Sequence, residues 1–225
     1  MKKELFQYTS CFCEENIYLL CQKIIACDSL YAVFISNPSK SVAFWQHNGM
    51  RPEKQRENRP VVWDYHVIAV SQSQYEIEIE SDNNDDDNNS SSSSKGWVVF
   101  DFDSSVEPFP TPLLQYLDET FSPNKNSSST ILRTNPLFQP MFRIIPARLF
   151  LDHFASDRSH MDPHSTRIKF PPYTPIRGPL AAVAHNLPLY WDMTTEKVGG
   201  DPVFGTVVGG VEAFQSTLFK IKGRS

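Results

Sequence analysis

A polar run occupies residues 81–94 (S-D-N-N-D-D-D-N-N-S-S-S-S-S), and on either side of it the sequence turns apolar and β-branched. Such a run cannot bury enough apolar surface to offset the entropy of ordering, so it is expected to be a disordered loop. Before it, residues 61–70 (V-V-W-D-Y-H-V-I-A-V) read as a strand, and residues 75–80 extend it with apolar and acidic residues in alternation. After it, residues 97–102 (W-V-V-F-D-F) resume the strand pattern. Two strands on either side of a polar insert imply an antiparallel hairpin, 61–80 against 97–102, with 81–94 as its tip. Closing a longer loop costs only about 0.6 kcal/mol per doubling, so the insert is no obstacle to that pairing.

The rest of the chain is read around this hairpin. From residue 11 to 26, Ile17, Leu20, Cys21, Ile24 and Ile25 recur at the spacing of a half-buried helix, with Thr9 and Ser10 placed as caps and Glu14 and Glu15 in the first turn. Residues 31–35 (Y-A-V-F-I) predict a buried strand, with 42–45 as its hairpin partner across Asn37-Pro38-Ser39. Helices are expected at 113–121 and 147–154, a strand at 142–145, a loop near 122–130 and an amphipathic closing piece at 211–219. Residues 162–212, rich in Pro and Gly, give little periodic signal. One helix, mostly antiparallel strands and then short helices define an α+β chain, expected to form a single catalytic domain over 1–225.

With 225 residues, 40% of them hydrophobic, there is material for one packed core. A formal net charge of -5 argues against a general nucleic-acid binder or a basic membrane-surface protein, and no run of 18 apolar residues exists. Glu14, Glu15 and Asn16 interrupt any stretch that could serve as a signal peptide. All four cysteines (Cys11, Cys13, Cys21, Cys27) fall in the first 27 residues, where they cannot staple distant parts of the chain. Their spacing does not match a structural zinc site either, so reduced thiols in a cytosolic or nuclear setting, without a bound metal, are expected.

Cys13 stands in the first turn of the predicted helix, where free N–H groups and the positive dipole end favour a thiolate and could hold an oxyanion. The adjacent Glu14 and Glu15 oppose this, so a basic partner is required; Cys21 falls on the apolar face and reads as core. Of the six histidines (His47, His66, His153, His160, His164, His185), only His66 sits inside a strong strand pattern, as a core residue or as a catalytic one held rigid. Asp101 lies on the strand expected to pair with that of His66, and a carboxylate inside an apolar run needs a partner such as an imidazole N–H. Asp103, two residues on, is the rival acid or a turn residue. Thiol, imidazole and carboxylate together are the equipment of a cysteine hydrolase.

Five blocks then resemble the protein N-terminal glutamine amidohydrolase family, in its order: S-C-F-C-E-E-N-I at 10–17, Y-A-V-F-I-S-N at 31–37, V-W-D-Y-H-V at 62–67, D-F-D at 101–103 with P-F-P at 108–110, and F-A-S-D-R-S-H-M at 154–161. The resemblance implies a papain- or transglutaminase-like α+β fold with an N-terminal nucleophile helix, acting as a monomer without cofactor. It places a triad on Cys13 (nucleophile), His66 (base and acid) and Asp101 (orienter). It implies deamidation of an N-terminal glutamine to glutamate, feeding the N-degron degradation pathway, with protein or peptide substrates as partners and a cytoplasmic or nuclear location. Reading a free α-ammonium calls for a carboxylate, for which Asp64, Asp103 and Asp157 are the candidates, and block 154–161 could wall the site through Asp157 or His160. The alternatives are another papain- or transglutaminase-like peptidase or acyltransferase, and a non-catalytic module that binds N-termini.

Overall fold

A computed structural model describes residues 2–26, 29–47, 60–72, 96–121, 134–161, 172–194 and 202–222. Cys27, the alternating segment 75–80, the run 81–94 and the loop near 122–130 lie outside them. Helix α1 (Cys13–Ile24) leads into strand β1 (Leu30–Ser36). The remaining strands are β2 (Val42–Phe44), β3 (Val61–Trp63), β4 (Tyr65–Gln72), β5 (Trp97–Phe100), β6 (Thr111–Pro112), β7 (Met141–Pro146), β8 (Ala155–Ser156), β9 (Ile176–Arg177) and β10 (Thr206–Gly209). Between them lie helices α2 (Leu113–Phe121), α3 (Ala147–His153) and α4 (Leu187–Trp191), and α5 (Val211–Lys222) closes the chain.

Six strands form one antiparallel sheet in the order β10-β7-β1-β4-β5-β6. Successive side chains of a strand point to opposite faces, and here both faces are covered. Ala32, Phe34, Val67, Ala69, Val98, Phe100 and Ile145 meet α1, α3 and α4 on one side. Val33, Ile35, Ile68, Val70, Val99, Phe142 and Ile144 meet α2 and α5 on the other. That is why β1 and β4 read as continuous apolar runs rather than as alternating ones. Phe34, Phe150, Phe154 and Tyr190 pack ring against ring at 4.7 to 6.1 Å. Truncating one of these buried Phe rings to Ala costs about 3–5 kcal/mol.

The α+β class and the antiparallel pairing of the 61–72 region with 97–100 agree with the expectation; the register runs from Ala69 opposite Phe100 to Gln72 opposite Trp97. Two expectations do not hold. The 61–70 run is two strands, broken at Asp64, whose carbonyl accepts the Ser36 hydroxyl at 2.5 Å while its Oδ1 accepts the Tyr65 N–H at 3.0 Å. And β2 does not pair with β1: it forms a separate two-stranded sheet with β3, Val42 opposite Trp63 and Phe44 opposite Val61. Within the weakly patterned 162–212, the described part is tied down by polar groups. Arg143 of β7, 2% exposed, donates to the carbonyls of Tyr190, Phe204 and Asp192. Asn186 similarly brackets β8, accepting from Ala155 N–H and donating to the His153 carbonyl.

Candidate active site

Antiparallel pairing sets the second half of β4 beside β5, so the first half of β4 runs on beside the residues that follow β5. Continuing the register, Asp101 falls opposite Ile68, on the face that His66 also uses two residues earlier. The side chains meet there: His66 Nε2 lies 2.9 Å from Asp101 Oδ1, and both residues are buried. With Nε2 engaged by the carboxylate, Nδ1 is the ring nitrogen left to handle a proton.

Among the described residues, Asp101 is the buried acid with the most hydrogen-bond donors around it. Its Oδ1 also accepts the backbone N–H groups of Asp103 (2.9 Å) and Ser104 (3.3 Å). Its Oδ2 accepts the Tyr116 hydroxyl at 2.7 Å and faces His47 Nε2 at 2.8 Å. Burial alone would raise its carboxyl, but the charges and hydrogen bonds of His66 and His47 hold it well below the usual carboxylate range. For His66, burial favours the neutral ring, and Asp101 outweighs it, so the net shift is upward.

Cys13 begins α1 and is half-buried. The chain enters the helix through Cys11, whose φ of 70° is left-handed for a residue with a Cβ, a strained turn of the kind found at functional sites. Thr9 and Ser10 do not cap the helix. Phe12 occupies the N-cap without a side-chain bond, and Asn16 reaches back to Thr9, accepting its N–H at 2.8 Å and donating to its carbonyl at 2.9 Å. Arg158 fixes the same turn from outside. Its guanidinium lies 3.8 Å from the Phe12 ring and 3.7 Å from the Tyr173 ring, and it is forked onto Glu15 at 2.7 to 3.0 Å.

A cavity of about 230 Å³ opens beside this turn, lined by Ser10, Cys11 and Cys13, by Trp63, Asp64, Tyr65 and His66, by Asp103, and by His160, Met161 and Trp191. Cys13 and His66 thus line the same cavity. At the thiol, burial and then the charges of Glu14 and Asp103 act against the helix tip and push it well above its ordinary value. Glu14 is buried with its Oε2 accepting the Tyr65 hydroxyl at 3.1 Å, while its Oε1 has no hydrogen-bond partner. Burial raises its carboxyl from 4.5 to about 7. Beside it, His160 Nε2 lies 3.2 Å from the Tyr65 hydroxyl, and burial and then His185 lower the ring to about 4.

Of the three carboxylates expected near a substrate amine, Asp64 and Asp103 line the cavity. Asp103 is buried, accepts the Tyr8 hydroxyl at 2.6 Å, and is raised chiefly by burial. Asp157 is not among the lining residues; its Oδ1 lies 3.2 Å from His185 Nδ1. Cys21 is fully buried in the core, where desolvation pushes its thiol to about 12. Sequence reasoning did not single out His47, Tyr116, Trp63, Tyr65 or Trp191. His47, Tyr116 and Trp191 carry no local signal, because the segment after β2, α2 and α4 bring them to the site from separate parts of the chain, whereas Trp63 and Tyr65 flank His66 in the block at 62–67. Among the described residues, the only three metal-ligand-type side chains that converge are His47, His66 and Asp101, and their facing atoms are taken up by one another.

A thiol and an imidazole lining one cavity, with a carboxylate hydrogen-bonded to the imidazole, are groups that acyl transfer through sulfur uses. Residues 8–217 match the sequence model of the N-terminal glutamine amidase family, and the chain belongs to that family. It is 37% identical over 198 residues to the protein N-terminal glutamine amidohydrolase of Arabidopsis thaliana, covering 84% of this chain and 76% of that one. The corresponding protein of Oryza sativa subsp. indica is 36% identical over 179 residues (74% and 64%), and that of Danio rerio 32% identical over 170 residues (73% and 68%).

Proposed function

We propose that this protein hydrolyses the side-chain amide of a glutamine at the first position of a protein or peptide, giving glutamate and ammonia. The observation that carries the reading is the shared cavity of Cys13 and His66, with His66 Nε2 bound to Asp101, in a member of this family.

In this reading Cys13 attacks the amide carbon as its proton passes to His66 Nδ1. The upward shift of the thiol makes this transfer coincide with attack, rather than precede it. Free N–H groups in the first turn of α1 receive the oxyanion. The C–N bond then breaks, His66 gives its proton to the departing nitrogen as ammonia, and an acyl-thioester remains on Cys13. Water attacks the thioester with His66 taking its proton; the C–S bond breaks, sulfur is reprotonated, and glutamate leaves. Asp101 keeps the His66 proton on Nε2 and steadies the imidazolium that forms twice in the cycle.

The α-ammonium of the substrate is assigned to Asp103, with Asp64 at the outer rim. Asp103 is buried and its charge is less screened, whereas Asp64 is exposed. We further place the chain in the papain- and transglutaminase-like group of folds, as one catalytic domain acting as a monomer. Its products would enter the N-degron pathway in the cytoplasm or nucleus.

Mass spectrometry of a Gln-starting peptide, a Gln-second peptide and an Asn-starting peptide tests the activity. Conversion of the first alone to the acid is expected, with loss of at least about 10³-fold in a folded Cys13→Ala variant. Backbone cleavage, or full activity in that variant, would defeat the proposal.

A further inference from the structure

Two imidazoles contact Asp101, and the mechanism uses one. The other, His47, is 3% exposed and follows β2, where the chain is stitched to the segment after β5: Ser105 N–H donates to the Gln46 carbonyl at 2.8 Å, and His47 bridges Ser104. Its Nδ1 lies 2.7 Å from the Trp45 carbonyl oxygen and its Nε2 2.8 Å from Asp101 Oδ2. A carbonyl oxygen can only accept a hydrogen bond. Asp101 already receives a tyrosine hydroxyl, two backbone N–H groups and His66, the surroundings of an ionised acceptor. A neutral imidazole offers one N–H and one lone pair, and would set that lone pair against an oxygen at one of the two contacts. Both become hydrogen bonds only when each ring nitrogen carries a proton.

We propose that His47 is a positioning residue of this site: a buried imidazolium, hydrogen-bonded to the Trp45 carbonyl and to Asp101 Oδ2, that fixes the carboxylate so its other oxygen meets His66. The inference rests on the reading in which His66 handles the Cys13 proton. The charge is not stranded. Asp101 and Asp103 supply negative charge around it, and His66 and Tyr116 are the other titratable groups against the ring, at centroid distances of 5.4 and 6.2 Å. Phe44 and Trp63 fill the remaining sides at 5.2 and 5.6 Å.

A second cation on the carboxylate leaves His66 with less than the whole counter-charge, so His66 gives up its proton more readily than it would with Asp101 to itself. A purely structural His47 would lower activity equally at every pH. A charged one also sets where the acid limb of kcat/KM falls. The test compares His47→Gln, which keeps an N–H near Asp101 without charge, with His47→Phe, which has no donor. Nitrogen-15 NMR of the histidine rings in the wild-type protein accompanies the kinetics.

In the wild type, one ring absent from both variants should show both nitrogens protonated near neutral pH. His47→Gln should move the acid limb of ammonia release upward by about 0.5–1 pH unit. His47→Phe should lose about 10- to 100-fold in kcat with little change in KM, and Gln should restore part of it. A singly protonated His47 ring, or an acid limb unmoved in folded His47→Gln, would overturn the proposal. Should His47→Phe not fold, the wild-type spectrum and His47→Gln decide the matter. A wild type that releases no ammonia would defeat the enzymatic reading, while the ring spectrum would still report on His47.

Discussion

Asp101 and Glu14 are both buried carboxylates within the same small region, and their surroundings treat them oppositely. Five donors surround Asp101, two of them imidazoles and two backbone amides, and its carboxyl is driven down. Glu14 receives the Tyr65 hydroxyl and, at 3.8 Å, the Cys13 thiol, keeps Oε1 without a hydrogen bond at 3.7 Å from His160 Nε2, and is driven up to about 7. Depth of burial is equal, so the difference lies in donors and cations. The first arrangement keeps a permanent charge behind His66. The second keeps an acid near neutrality beside Cys13, where a second fixed negative charge would oppose the sulfur anion formed during attack.

The sharpest way to break this contrast is at Asp101 itself. Asp101→Asn is expected to lower kcat by about 10²–10⁴-fold, because an amide no longer supports the imidazolium of His66; single-turnover kinetics measure it. Asp101 is depressed in the fold, so its contribution to stability is present above the ordinary carboxylate range and is lost as pH falls through its folded value. Glu14→Gln tests the opposite case. A carboxyl raised from 4.5 to about 7 binds its proton more tightly when folded, so the wild type is progressively penalised as pH climbs through that window. The variant's stability relative to wild type should therefore grow by about 3 kcal/mol between those limits in urea titrations at successive pH values. No growth would mean that Glu14 is ionised throughout.

Next in size, Asp103→Asn is expected to raise KM for a Gln-starting peptide about tenfold, the equivalent of one lost charge contact of about 1.4 kcal/mol. Asp64→Asn should change it less, and the reverse order would reassign the amine contact. Of similar size are the paired tyrosine variants, each the loss of one hydroxyl. Tyr116→Phe removes one of five donors to Asp101 and should cost about 1–2 kcal/mol of stability. Tyr65→Phe removes the hydroxyl from Glu14, and should push the titration seen for Glu14 further upward.

Much of this was legible in the residues. Cys13 stood out by its place in the first turn of a predicted helix, His66 and Asp101 as polar residues inside apolar strand patterns, and the pattern of 61–102 brought those two to neighbouring strands. The β2 pairing was not legible, because a short turn after β1 suggested a local hairpin, while the actual partner β3 lies further along the chain. That pairing is also what delivers His47, so the second imidazole on Asp101 was invisible for the same reason. Arg158 was legible only as part of an acidic and basic cluster; its sandwich between Phe12 and Tyr173 depends on residues far apart in sequence. The described part of 162–212 escaped periodicity analysis because a guanidinium and an asparagine amide order it, and neither leaves an apolar rhythm.

Burial and the charges of Glu14 and Asp103, which disfavour a sulfur anion at Cys13, have a consequence outside turnover. Peroxides and alkylating electrophiles react with sulfur anions far faster than with S–H groups. A sulfur that surrenders its hydrogen only while a bound amide is being attacked is shielded from such damage between meals, so idle enzyme should outlast oxidative exposure that would consume a standing anion.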